Sequence, residues 1–210
     1  MLSNFQNVTM KKPLAKNVTL RVCITAMFAA ILVGGKQALA LLPNVEVVTL
    51  FVAVCAYAWG LAVAMPAVLV FIAVDVAIWG FNTWVLSYLV HFNVIALIFW
   101  AFSLWRLQNA RLKVALATVF ACVLTACFGV LTTAVDTTIG FTGQGFFADF
   151  SEFGRRFAAL YAAGVSFFVT HVVSNTLIFA VAFLPLSALN AKAKLRMFPP
   201  ADATTTDKEE

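Results

Sequence analysis

The chain divides into six long apolar segments, and almost every lysine and arginine falls at one set of their ends. No other feature constrains the fold as strongly, because roughly 20 apolar residues at about 1.5 Å rise are enough to cross a bilayer. Hydrophobic residues make up 63% of the 210 and charged residues 11%, with a mean hydropathy of +0.97. A soluble fold of this length cannot bury so much apolar surface. The expectation is an all-α integral membrane protein of six transmembrane helices, with lipid as its solvent.

The spans read as about 18–42, 46–60, 62–79, 85–104, 112–135 and 159–187. Pro43 is expected to stop the first, since proline lacks an amide and crowds the preceding turn. Asn44 is then placed to cap the second, with Glu46 in its first turn, where the helix dipole favours an anion. Trp59-Gly60 and Pro66 give only weak punctuation between the second and third spans.

Charge sets the expected orientation. Lys11, Lys12, Lys16 and Arg21 precede the first span, Arg106, Arg111 and Lys113 lie between the fourth and fifth, and Lys192, Lys194 and Arg196 follow the sixth. With both termini in the cytoplasm all of these lie inside, leaving Lys36, Arg155 and Arg156 outside. Residues 1–17 then form a cytoplasmic segment with no cleavable leader. Residues 188–210 form a cytoplasmic tail that reads as disordered, above all from 198 onward. The net charge of +5 reports topology and does not point to nucleic acid. Cys23, Cys55, Cys122 and Cys127 fall within spans without metal-ligand spacing and read as small hydrophobes.

Polar residues inside spans are costly and mark candidate sites. Lys36, Gln37, Asn44, Glu46, Asp75, Trp79, Asn82 and Trp84 cluster toward the outer leaflet, as do Asp136, Thr137 and Thr138. The inner halves are nearly bare, so a pocket open outward and closed below is expected rather than a channel. Lys36 needs a partner, and Asp75 and Glu46 are the acids at similar depth. Such a pair serves either as a structural tie or as a ligand anchor. His91 and Asn93 begin the embedded part of the fourth span. His171 and Asn175 share a face of the sixth at i, i+4, suited to an interhelical hydrogen bond or to ligand contact. No nucleophile elbow, zinc motif or phosphate loop is present, so no catalytic residue and no cofactor for catalysis are expected. The external segment 136–158 has Gly140, Gly143 and Gly145, then Phe146, Phe147, Phe150, Phe153 and Phe157 at helical spacing. It reads as an interfacial helix or as a lid.

Ala26, Ala30 and Gly34 recur every four residues on the first span, a stripe that lets another helix approach closely. This stripe and the stretch Gln37-Ala38-Leu39-Ala40-Leu41-Leu42-Pro43-Asn44-Val45-Glu46-Val47-Val48-Thr49-Leu50 resemble the S components of energy-coupling factor (ECF) vitamin transporters. The size and six spans are similar as well, over about 18–187. The resemblance implies a substrate-binding subunit in a bacterial cell membrane, with no ATPase of its own. It would dock through Ala26 and Ala30, extended by Gly34, on a transmembrane coupling subunit driven by two ATPase subunits. The implied ligand is a vitamin bound near the outer surface, with cobalamin or a related corrinoid favoured. Two alternatives stay open: a stand-alone secondary transporter, and a membrane enzyme acting on a lipid or prenyl substrate.

Overall fold

In the computed structural model, residues 18–105, 107–139 and 153–197 are described, and every regular element among them is an α-helix. They are α1 (Val18–Ala38), α2 (Val48–Trp59), α3 (Leu61–Trp79), α4 (Thr83–Leu104), α5 (Ala110–Ile139) and α6 (Phe153–Met197). All but α2 are long and apolar enough to cross a membrane. The protein is an all-α, multi-pass membrane bundle. Its outward faces carry Val119, Val123, Val173, Leu177 and Val181, all exposed, as a lipid solvent requires.

The helix α2 departs from the expectation of six full spans. Its 12 residues extend roughly 18 Å, well short of a hydrocarbon core of about 30 Å. It is the centre of the bundle: nine of its residues are buried, against α4 and α6 above all. The cause lies in the linker before it. The first span ends at Ala38 rather than at 42, closing through short-range bonds from Leu39 N–H to Lys36 O (3.3 Å) and Ala40 N–H to Gln37 O (3.2 Å). Pro43 therefore does not stop the helix; it sits in the linker that follows. Asn44 takes a left-handed φ of 58°, which asparagine tolerates better than most residues. It turns the chain back beside α1, where a β-carbon on Gly35 would lie 2.8 Å from Val47 Cγ2. So α2 starts at the depth of Gly35. Asn44 does not cap it: Glu46 does, with Oε2 accepting from Thr49 N–H at 2.9 Å.

A single residue, Gly60 at φ 83°, separates α2 from α3, and Gly80 at φ 81° ends α3. Asn82 caps α4, its Oδ1 accepting from Thr83 N–H at 2.7 Å, and Asn109 caps α5 by accepting from Arg111 N–H at 2.9 Å. The α6 helix, 45 residues long, measures roughly 67 Å and outruns any bilayer. It includes Phe153 and Phe157, whose rings stack at 6.0 Å, and it continues through 188–197, which the sequence assigned to the tail. The glycines at 140, 143 and 145 and the phenylalanines at 146, 147 and 150 lie outside the described residues, as do 1–17 and 198–210.

Two contacts fix the far end of the bundle. Trp59 Nε1 donates to Asn190 Oδ1 at 2.8 Å, and Lys194 Nζ donates to Ala58 O at 2.8 Å. Between that end and the linker the interior is filled by aromatic rings. Phe99, Phe179 and Phe183 are fully buried, with Phe99 5.5 Å from Phe179 and Phe102 5.4 Å from Phe120.

Candidate functional site

The α1–α2 linker walls a site at its end of the bundle, and the apolar core closes that site below. Lys36, in the last turn of α1, meets Asp75 of α3 at 2.6 Å. The aspartate is 1% exposed and the lysine side chain 23%. A carboxylate buried so deeply needs a cation, and Lys36 is held for that role by aromatic faces as well. Its ammonium lies 4.6 Å from the Trp84 ring centre, 4.8 Å from Tyr88 and 6.0 Å from Phe71, within the range of cation–π attraction. Of the two acids expected to answer Lys36, Asp75 is the one that does.

Glu46 turns to α6 instead. Its Oε1 accepts from Asn175 Nδ2 at 2.9 Å and lies 3.2 Å from His171 Nε2. Asn175 Nδ2 also reaches Thr125 Oγ1 at 3.2 Å. Ser174 Oγ, one position before Asn175, donates to Asn44 O at 3.1 Å. The i, i+4 pair on α6 thus clamps the linker; the carboxylate joins α2 to α6, and Asn175 extends the link to α5.

These groups border two adjoining cavities. The inner chamber, about 180 Å³, is lined by Glu46, Phe71, Tyr88, His91, Phe92 and Phe128 together with the linker. The outer vestibule, about 630 Å³, is bordered by Trp79, Trp84, Thr132, Thr133, Asp136 and Phe168. Lys36, Asn44, Tyr88 and Phe128 line both and form the neck. Together the two fall in the size class of small-molecule sites, roughly 300–1,000 Å³.

The expected site residues are thus brought to one region, in different roles. Lys36, Asn44, Glu46 and His171 line the inner chamber, and Trp79 and Trp84 the vestibule. Asp75 and Asn175 stand behind them as the partners of Lys36 and Glu46. Asn82 lines neither cavity and serves as the cap of α4. Gln37 also lines neither, and its Nε2 is buried without a hydrogen-bond partner among the described residues. Asp136 belongs to the vestibule and accepts from Thr83 Oγ1, tying α5 to α4. Asn93 bonds back to Leu89 O on its own helix.

His91 was named by sequence as a polar group at the start of the fourth span, whereas Tyr88, Phe92 and Phe128 were not singled out. For Tyr88 and Phe92 a signal existed: Trp84, Tyr88, His91 and Phe92 recur at i, i+4, i+7 and i+8, one stripe of α4. Phe128 had none, being one of 21 phenylalanines.

The small-residue stripe of α1 points away from the bundle. Ala26, Ala30 and Gly34 are exposed, while Ile24, Phe28 and Leu32 are buried, chiefly against α3. A β-carbon on Gly34 would meet nothing within 4 Å. This face therefore packs no other described helix of the chain. The chain matches no family model, no curated protein and no solved structure.

Proposed function

We propose that this chain is the substrate-binding subunit of an ATP-driven importer of the ECF type, capturing a micronutrient at the outer face of a bacterial cell membrane. The observation that carries the reading is that Lys36, Asn44, Glu46, His91, His171 and Asp136 all line cavities at one end of the bundle. Below the chamber Phe99, Phe102, Phe179 and Phe183 pack ring on ring, with no polar stripe between them among the described residues. A protein built this way captures a ligand but offers it no path across, so transport needs a partner. The exposed stripe of Ala26, Ala30 and Gly34 supports a docking face on a transmembrane coupling subunit, itself driven by two ATPase subunits.

The test is uptake of the compound that copurifies with the chain. Cells carrying the chain with an intact coupling module should accumulate it. Cells whose ATPases are inactivated should bind it at the surface and not accumulate it. Accumulation without the module would instead support a stand-alone secondary transporter, and chemical conversion of the bound compound a membrane enzyme.

A further inference from the structure

We infer that the inner chamber receives a single uncharged heteroaromatic ring whose edge hydrogen-bonds to His91, while a polar arm passes Lys36 into the vestibule. This rests on the capture reading and narrows the ligand within it. Three observations carry the inference.

Volume comes first. A cavity of roughly 150 Å³ takes one benzene ring, so a chamber of about 180 Å³ takes one ring or little more. A corrin macrocycle exceeds it and would be confined to the vestibule.

The walls come second. Tyr88, Phe92 and Phe128 surround the chamber, with Tyr88 5.0 Å from Phe92 and 5.9 Å from Phe128. Planar π faces prefer to stack against such rings in offset or edge-on geometry. Every charge in the wall already has a partner: Lys36 is bound to Asp75, and Glu46 to Thr49 N–H, Asn175 and His171. A ligand bringing net charge into this chamber would have to break a pair or remain uncompensated, and both are costly.

The third is His91 itself. It is 5% exposed and lines the chamber, its ring 4.6 Å from Phe128. Its Nε2 is buried with no hydrogen-bond partner among the described residues. A buried polar atom costs free energy until something bonds to it, and a ring nitrogen, carbonyl or amide on the ligand edge would do so. A site with such a group discriminates strongly against analogues that lack the matching atom. His91 is therefore the specificity-determining residue of the chamber.

The experiment uses the full chain in lipid nanodiscs. Bound compounds are released and identified by mass spectrometry, and the protein is titrated with nicotinamide, pyridoxine, thymidine, nicotinate and cyanocobalamin. The expected ligand is an uncharged compound with one planar heteroaromatic ring and a polar arm, and nicotinate should bind more weakly than nicotinamide. Binding should fall about tenfold or more in His91→Phe, the cost of one lost buried hydrogen bond. His91→Gln, which keeps a polar atom at similar reach, should restore much of it, with melting temperatures confirming that both variants fold. A corrinoid, a net-charged compound or an aliphatic one as ligand would overturn the inference; if that compound is still imported with ATP, the importer reading stands. Equal binding by wild type and His91→Phe would overturn the role of His91. No copurifying compound and no binding by any of the five probes would count against the inference and the importer reading alike.

Discussion

Lys36 and Asp75 were legible as a pair because a charge inside an apolar span is expensive enough to demand a partner. What sequence left open was which acid Lys36 would choose, and the fold answers through depth: Asp75 faces the end of α1, while Glu46 returns on the linker toward α6. The geometry predicts how the pair behaves on mutation. Lys36→Met and Asp75→Asn should each lower stability by about 3–5 kcal/mol, because each strands a buried partner. The double change should recover most of that loss. Melting curves of the three variants check this, and ligand titration of the double variant adds a second reading. Stability regained with affinity still lost would mark Lys36 as a ligand contact at the neck as well as a tie. Glu46→Gln removes the anionic acceptor shared by Thr49 N–H, Asn175 and His171. A loss of about 1–3 kcal/mol is expected, measurable as a lower melting temperature. The aromatic half of the chamber was less legible, since in a chain this rich in phenylalanine a ring at a pocket and a ring facing lipid look alike.

At the scale of elements, the two adjacent glycines of α1 separate the packed face from the open one. Gly35 faces Val47 so closely that alanine there must displace the linker, at a cost of about 1–3 kcal/mol. Gly34→Ala meets open space and should leave the isolated protein unchanged or stabilise it by about 0.5–1 kcal/mol, since alanine is the better helix former. Thermal unfolding of the two single variants is the check. The four-residue period of Ala26, Ala30 and Gly34 was visible in sequence, and the fold adds that the stripe faces outward. The shortness of α2 was not visible. A helix apolar on every side gives no periodicity from which to read its ends, and the fold-back at Asn44 depends on contacts with α1 and α6 that lie far off in sequence. The continuation of α6 past residue 187 follows from local composition: Ala191, Ala193, Leu195, Lys192, Lys194, Arg196 and Met197 are all strong helix formers. The polarity of that stretch had marked it as a tail.

For the whole molecule, the bonds of Glu46 to the middle of α6 and of Trp59 to Asn190 fix α2 parallel to α6, and the return at Asn44 beside Gly35 sets α2 antiparallel to α1. The first residue of α1 and the last of α6 therefore lie at the same end of the bundle, away from the cavities. With lysine and arginine concentrated at that end, fusions of a cytoplasm-specific reporter to either terminus should both be active; activity at one terminus alone would contradict the arrangement. In the proposed reading the molecule combines a ligand site and a docking stripe on one scaffold. Ala26 and Ala30 lie roughly 9–15 Å along α1 from Lys36. The most direct test of that division is ATP-driven uptake by Ala30→Leu, measured against ligand binding by the same purified variant. The account predicts binding within about twofold of the unaltered chain and uptake reduced about tenfold or more, because the added side chain keeps another helix from close approach. Loss of both together, or of neither, would contradict it.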